Sequence, residues 1–193
     1  VSSFLCALPS NARVALLMQE SGFSLAASDG AQAVIPFSQG LLGGGLDPLS
    51  AAKALEPLLT GTHRLILFNA KRLKTELAPW ALAVTAPFDD DQIMQYLIAP
   101  QSGKYEAPEN AAALFTRTLS DEQTLDAQEM SRLYREIELP LLDTLYAMER
   151  DGFLVDRDEL AQLGAQYDAQ IADLKEEIFS LCGCAPFNLN SPQ

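Results

Sequence analysis

The residues most suited to metal binding or catalysis are carboxylates: Glu20, which follows an apolar stretch, and the run Asp89-Asp90-Asp91. Converging carboxylates could form a metal site, because hard divalent cations such as Mg²⁺ prefer oxygen ligands. Three consecutive residues on a helix point in different directions, however, and cannot all converge on one ion. We therefore favour the alternative that Asp89 caps a helix whose first turn accommodates acidic residues through the helix dipole.

A second candidate site is a basic cluster formed by His63, Arg64, Lys71, Arg72 and Lys74. Its helical members, Lys71, Arg72 and Lys74, could contact the phosphates of a single nucleic-acid strand without cutting it. Such clusters are more often solvated helix faces, and we favour that interpretation.

The three cysteines, Cys6, Cys182 and Cys184, have no recurring spacing, which is typical of a reducing compartment. Cys182 and Cys184 are not expected to bind a metal, because the sequence has a single histidine, His63, and no second cysteine pair. There is no run of eighteen apolar residues, and the N-terminus lacks the basic flank of a signal peptide. These features predict a cytoplasmic protein without membrane contact.

The 193 residues are 48% hydrophobic, enough for a core, and carry a formal net charge of −13. Residues 1–118 contain 8 basic and 10 acidic side chains, whereas residues 119–193 contain 5 and 16. The acidic second part repels phosphate, so charge alone should not give this chain tight binding to nucleic acid.

Periodicity and turn residues predict the elements that position these side chains. Strands are expected at residues 13–18, 22–28, 32–37, 64–68 and 80–85. Helices are expected at residues 48–59, 69–77, 89–98, 107–119 and 121–150. Asp29-Gly30 is predicted to form a hairpin turn, and Pro140 to kink the last helix. The order predicts an α/β fold with a mixed sheet flanked by helices.

A further helix is predicted after Asp156, which can cap it together with Glu159, and Gly183 and Pro186 should end it. Its apolar residues recur in steps of three and four and share one face: Leu160, Leu163, Tyr167, Ile171, Leu174, Ile178 and Leu181. Such a stripe needs a partner helix. We expect the chain to be a fragment of a longer protein that supplies this helix in cis, with self-association of the fragment as the alternative.

The residues around this helix carry a family resemblance. They comprise Glu138-x-Pro140-Leu141, Met148-Glu149, Gly152, Val155-Asp156, Leu160 and Phe187-Asn188-Leu189-Asn190-Ser191-Pro192. This series resembles the bacterial family A DNA polymerases, the DNA polymerase I type. The resemblance implies an RNase H-like, 3′-to-5′ exonuclease-like domain at residues 1–118. Residues 119–193 would then be a connecting helix and the first thumb helix of a truncated polymerase domain.

The resemblance also implies a function for the parent protein: template-directed DNA synthesis in replication and repair, with Mg²⁺, DNA and the remaining polymerase domain as partners. An active exonuclease domain of this type uses two metal ions held by carboxylates. Its first strand ends in Asp-x-Glu, and the alignment places Met18 at the aspartate and Glu20 at the glutamate. The aspartate that follows the fourth strand aligns with Leu73, and the third motif, Tyr-x-x-x-Asp, aligns with Glu106 and Asn110.

A thioether, an isobutyl group and an amide at Met18, Leu73 and Asn110 cannot replace three carboxylates around two magnesium ions. The nearby lysines and arginine oppose cation binding further. The sequence therefore predicts a catalytically inactive exonuclease-like platform without a metal or cofactor of its own, with Glu20 and Glu106 as possible remnants of the site. Two alternatives remain: an active exonuclease whose carboxylates lie in another register, and a module that binds a partner through its last helix.

Overall fold

The computed structural model describes residues 2–9, 12–38, 44–183 and 187–189. The chain divides into two compact units, Val1–Asp151 and Gly152–Gln193. The predicted domain boundary after residue 118 therefore does not coincide with the boundary between the compact units. The helix Leu139–Asp151 packs within the first unit, against the helix that follows the fourth strand.

Five strands form one mixed sheet in the first unit. They are β1 (Arg13–Gln19), β2 (Gly22–Ala27), β3 (Gln32–Pro36), β4 (Arg64–Leu67) and β5 (Phe88–Asp90). Their order across the sheet is β3-β2-β1-β4-β5. β2 runs antiparallel to both β1 and β3, whereas β4 runs parallel to β1 and β5 runs parallel to β4. The carboxyl ends of β1, β4 and β5 consequently meet at one edge of the sheet.

The predicted hairpin between β2 and β3 is confirmed. The Asp29 carboxylate accepts a hydrogen bond from the Ala31 amide at 2.9 Å, and Gly30 has a φ of +88°. An aspartate that bonds two residues ahead and a glycine with positive φ are the residues that tight turns prefer.

Helices cover the sheet. In the first unit they are α1 (Ser2–Ala7), α2 (Pro48–Ala54), α3 (Glu56–Leu59), α4 (Ala70–Leu77), α5 (Asp91–Ile98), α6 (Ala111–Ala127), α7 (Ser131–Leu133) and α8 (Leu139–Asp151). A short 3₁₀ turn, Ala78–Trp80, follows α4, and a π-helical turn, Tyr134–Glu138, lies between α7 and α8.

Side chains that alternate along β1 fill both faces of the sheet, as expected for a central strand. Val14 and Leu16 join the larger core, to which α2, α3 and α4 contribute. Ala15 and Leu17 face the opposite side, where they pack with the first turn of α6. The sheet is therefore buried on both faces between layers of helix.

The strand predicted at residues 80–85 is wrong, since the fifth strand lies at Phe88–Asp90. Leu82 and Val84 are buried, which explains the apolar pattern. The amides of Thr85 and Ala86 both donate to the Leu59 carbonyl at the end of α3, so this segment does not join the sheet ladder there.

The single helix predicted over residues 121–150 is also wrong, and so is the end predicted for the helix at residues 107–119. α6 continues to Ala127, and the chain then turns at Glu129, whose φ is +57°. The π-helical turn follows, in which the Leu139 amide donates to the Tyr134 carbonyl. Pro140 comes next and has no amide hydrogen to donate, so the wider turn accommodates a ring that would disrupt a regular α-helix.

The second unit contains one long helix, α9 (Arg157–Cys182). The predicted cap is confirmed, because the Asp156 carboxylate accepts hydrogen bonds from the amides of Asp158 and Glu159, each at 3.0 Å. Gly183 ends the helix in the left-handed conformation, as predicted. Pro186 lies outside the described residues. None of the described helices is long and apolar enough to cross a membrane.

Candidate functional site

The edge of the sheet where β1 and β4 end holds two of the residues predicted to replace carboxylates. Met18 on β1 and Leu73 on α4 line the same cavity of about 70 Å³. Leu73 is buried, and Met18 packs against the larger core. The structure thus brings these two positions together, but a thioether and an isobutyl group are not ligands for a hard cation. The lining also contains the Glu76 carboxylate, which pairs with Arg72 at 2.7 Å.

Asn69 determines how α4 presents Leu73 to this cavity. Its φ of +56° places it in the left-handed region, which asparagine tolerates better than most residues. Its side-chain oxygen accepts a hydrogen bond from the Arg72 amide at 2.9 Å and so caps the helix. The chain therefore turns sharply from β4 into α4, and Leu73 lies in the first turn against the sheet.

The other predicted site residues remain at the surface. Glu20 is exposed in the turn after β1, and Glu106 is exposed in the loop before α6. Asn110 caps α6 by accepting a hydrogen bond from the Ala113 amide at 2.9 Å. The Gln19 side chain donates to the backbone carbonyl of Glu109 at 3.1 Å, so the start of α6 lies beside the end of β1.

The three aspartates of the acidic run are buried and face different partners. Asp89 forms a bidentate pair with Arg64, whose Nε lies 2.5 Å and Nη2 2.7 Å from the carboxylate oxygens, and Arg13 Nη2 lies 3.2 Å away. Arg13 also forms two hydrogen bonds with Glu122 on α6, at 2.7 and 2.8 Å. These bonds raise the pKa of both arginines, and the network ties β1, β4 and β5 to α6.

Asp90 caps α5, which corrects both the predicted cap at Asp89 and the predicted helix start. Its carboxylate accepts hydrogen bonds from the Ile93 amide at 3.2 Å and from the Ala70 amide at 2.6 Å, so one side chain caps α5 and also bonds the first residue of α4. Burial raises the pKa of Asp90 to about 6 despite these bonds. Its own amide donates to the Tyr134 hydroxyl at 2.8 Å, and burial raises the pKa of that tyrosine as well.

Asp91 joins α5 to α6. It pairs with Arg117 at 2.5 Å and accepts a hydrogen bond from the Thr118 hydroxyl at 2.8 Å. Burial, followed by the charge of Asp91, raises the pKa of the neighbouring Asp121. The described residues contain no group of three or more histidine, cysteine, aspartate or glutamate side chains that could hold a metal ion.

Comparison with known proteins gives the context for this arrangement. No protein-family model matches the chain. DNA polymerase I of Chloroflexus aurantiacus is 41% identical over 96 residues, which are 48% of this chain and 10% of that protein. The thermostable DNA polymerase I of Thermus thermophilus is 31% identical over 119 residues, 54% of this chain and 14% of that protein. These similarities support a fragment of a bacterial family A DNA polymerase, of the DNA polymerase I type.

The chain spans only a small share of these polymerases. DNA polymerase I of Geobacillus stearothermophilus is 27% identical over 182 residues, which cover 75% of this chain but 21% of that protein. A solved structure of the POL domain of Pol1 from M. smegmatis, in complex with DNA primer-template and dNTP, superimposes with a TM-score of 0.67 at 24% identity. It covers 96% of this chain and 36% of the other, and at this identity it shows the fold alone.

A second register, which the sequence reasoning missed, is available for the predicted third motif. Tyr105 and Glu109 have the spacing Tyr-x-x-x-acid. The signal was the tyrosine itself, which the register through Glu106 and Asn110 lacks. Because the Glu109 carbonyl bonds to Gln19, this register places an acidic residue beside the end of β1. The Glu109 side chain is exposed and lies outside the cavity shared by Met18 and Leu73.

The basic residues of α4 are engaged in ion pairs with nearby carboxylates. Lys71 pairs with Glu149 on α8 at 2.8 Å, and Lys74 pairs with Asp143 on the same helix. Arg72 pairs with Glu76 within α4 at 2.7 Å. A nucleic-acid phosphate would have to compete with these carboxylates, and the pairs of Lys71 and Lys74 join α4 to α8.

The apolar face predicted for α9 faces solvent in large part. Its exposed members retain between 39% and 81% of their accessible surface: Leu160, Tyr167, Ile171, Leu174, Ile178 and Leu181. Leu163 is partly buried. Cys182, at the end of the helix, is exposed and unpaired, and Cys184 lies outside the described residues.

Proposed function

We propose that the first unit is an RNase H-like, exonuclease-like domain that has lost its catalytic metal site and serves as a structural platform in a DNA polymerase. The strand order β3-β2-β1-β4-β5 supports this, since it has three antiparallel strands followed by two that are parallel to β1. Residues 119–193 then form the connecting helices and the first thumb helix of the polymerase domain.

The observation that carries the proposal is the cavity between Met18 and Leu73. Two-metal phosphodiester hydrolysis requires carboxylates that converge on ions a few ångströms apart. Met18 and Leu73, the positions that we propose have lost two of these carboxylates, both line the cavity and contribute apolar side chains. A thioether and an isobutyl group do not fit two magnesium ions, so no hydrolytic step is assigned to this site.

The parent protein would carry out template-directed DNA synthesis in replication and repair, in the cytoplasm, and would use Mg²⁺ in its polymerase domain. DNA contact would come through that parent, because the ion pairs of Lys71 and Lys74 leave α4 with little free positive charge. The platform would support the polymerase through rigid packing, to which the pairs of Arg13 and Arg64 with buried Asp89 contribute.

An exonuclease assay tests the proposal. The purified chain is incubated with a 5′-labelled single-stranded oligonucleotide and Mg²⁺ or Mn²⁺, beside a chelated control, and its folding is verified by circular dichroism. We expect no degradation even at high protein concentration. A ladder that the chelator abolishes would refute the proposal, and comparison of Glu20→Ala and Glu109→Ala with the unchanged chain would then identify the carboxylates responsible.

The exposed face of α9 supports a second function, the docking of another helix. In the intact parent this helix would come from the same chain, whereas the isolated chain would self-associate. Sedimentation velocity over a hundredfold range of concentration tests this, with Leu174→Asp as a variant that charges the face and Glu177→Gln as a control on the same helix. We expect a concentration-dependent dimer that Leu174→Asp abolishes, whereas a strict monomer at every concentration would exclude self-association.

A further inference from the structure

A larger cavity, of about 410 Å³, lies where β4 and β5 end, and its lining differs from that of the Met18–Leu73 cavity. The start of α4, α5, the loop before α6, the π-helical turn and α8 form its walls. Its volume falls in the range of small-molecule sites. Asn69 lines both cavities, which places them on two sides of the same helix start.

One side of this cavity is aromatic. The rings of Tyr96 and Tyr105 meet edge to face, with centroids 6.3 Å apart and an interplanar angle of 86°. The Tyr105 hydroxyl donates to the Ala99 carbonyl at 2.8 Å, which fixes its ring. Leu141 and Leu145 of α8 also line the cavity, and both are about 40% exposed. These groups favour a ligand with an apolar body, and tyrosine ring faces also attract cations.

The charged groups of the lining are mostly acidic. Asp90 is 1% exposed and lies in the wall, and the Glu138 carboxylate is a second anion. Lys71 is the one cation among the described residues of the lining, and Glu149 already pairs with it at 2.8 Å. No hydrogen bond or ion pair joins the Glu138 side chain to the rest of the described chain. The cavity therefore has a net negative field and an unpaired carboxylate, but too few converging carboxylates for a metal ion.

We propose that this cavity binds an organic cation, a guanidinium or ammonium group on an apolar body. The cation would pair with Glu138 and lie against the face of Tyr96. The apolar body would cover Leu141 and Leu145, whose spacing of four residues places them on one side of α8. An arginine side chain has this chemistry, either in a free small molecule or displayed by a protein segment.

Isothermal titration calorimetry on the full chain tests the proposal with N-acetyl-arginine amide as the probe. N-acetyl-citrulline amide is the neutral comparison, because it keeps the shape and loses the charge. We expect saturable binding of the arginine compound and at least fivefold weaker binding of the citrulline compound. Glu138→Gln should weaken binding of the arginine compound about tenfold, the change expected when one charge-assisted hydrogen bond is lost.

Glu136→Gln is the matched control. Glu136 lies in the same π-helical turn, but it pairs with Arg132 at 2.8 Å and does not line the cavity. We expect this variant to bind like the unchanged chain, and amide NMR spectra of both variants verify that they fold. Absence of saturable binding, equal affinity for arginine and citrulline, or equal losses in the two variants would each overturn the proposal.

A third probe, N-acetyl-Leu-Arg-Leu amide, distinguishes the two sources of the cation. Binding more than fivefold tighter than that of N-acetyl-arginine amide identifies a protein segment that also uses the leucines of α8. Equal binding identifies a free small cation. Both results support a cation site, and the exonuclease assay remains independent of either.

Discussion

The buried carboxylate of Asp90 gives the most quantitative prediction for this fold. Its pKa is raised from 3.8 to about 6 by burial. A raised pKa means that the folded state binds a proton more tightly than the unfolded state does. Protonation of Asp90 therefore contributes to the free energy of unfolding. This contribution is fully present below the unfolded pKa and is lost as the pH rises through 6.

The size of the effect follows from the shift. At about 1.4 kcal/mol per pKa unit, the ionised carboxylate costs about 3 kcal/mol of folding free energy above pH 7, relative to acid. About half of this change falls between pH 5 and pH 8, because the unfolded aspartate is already ionised at pH 5. Asp90→Asn removes the titration, but it also leaves one of two backbone amides without an acceptor, a cost of about 1–3 kcal/mol that does not depend on pH.

The assay is urea unfolding from pH 5 to pH 8, followed by the fluorescence of Trp80, the sole tryptophan, which packs against the core of the first unit. The measured quantity is the unfolding free energy of the unchanged chain minus that of Asp90→Asn. We expect this difference to fall by about 1–2 kcal/mol as the pH rises over this range. Asp29→Asn, in the exposed hairpin turn, is the matched control for the substitution. A difference that stays constant with pH, or rises with it, would refute the reasoning.

Four further substitutions test individual hydrogen bonds and ion pairs by urea unfolding at pH 7. Tyr134→Phe removes the hydroxyl that accepts a hydrogen bond from the Asp90 amide, and we expect the free energy of unfolding to fall by about 1–2 kcal/mol. A loss below about 0.5 kcal/mol would show that water replaces the hydroxyl. Arg64→Gln breaks the bidentate pair with buried Asp89 and should lower the free energy of unfolding by about 2 kcal/mol. Arg72→Gln breaks an exposed pair and should lower it by less than about 0.5 kcal/mol. Equal losses in the two variants would contradict the role assigned to burial. Asn69→Ala removes a helix cap from a left-handed residue and should cost about 2 kcal/mol, and no loss would mean that α4 does not depend on this cap.

The parts of the fold with strong local signals could be predicted from the sequence. The hairpin at Asp29-Gly30, the buried strand from Arg13 and the cap at Asp156 all appear in the structure. Each depends on side chains within a few residues of one another, so the sequence alone contains the required information. The family resemblance assigned Met18 and Leu73 to one former metal site, and in the structure both line one cavity beside the parallel strands β1 and β4.

The errors arose where tertiary contacts decide the structure. Leu82 and Val84 alternate as a strand would, but the segment bonds to the end of α3 instead of the sheet. Glu129 adopts a left-handed conformation that local residue preferences do not predict, and this turn interrupts the single helix predicted there. Asp89 and Asp90 are equally plausible caps by type, and only the position of Arg64 on the neighbouring strand determines which aspartate pairs and which one caps.

The most direct test of the account is a calorimetric titration of the chain with Mn²⁺, because the central claim concerns a metal site that has lost its ligands. With Met18 and Leu73 in place of carboxylates, we predict no saturable binding at micromolar Mn²⁺. A saturable site of low-micromolar affinity that Glu20→Ala or Glu109→Ala abolishes would contradict the account and show that this domain still holds the ions of a nuclease.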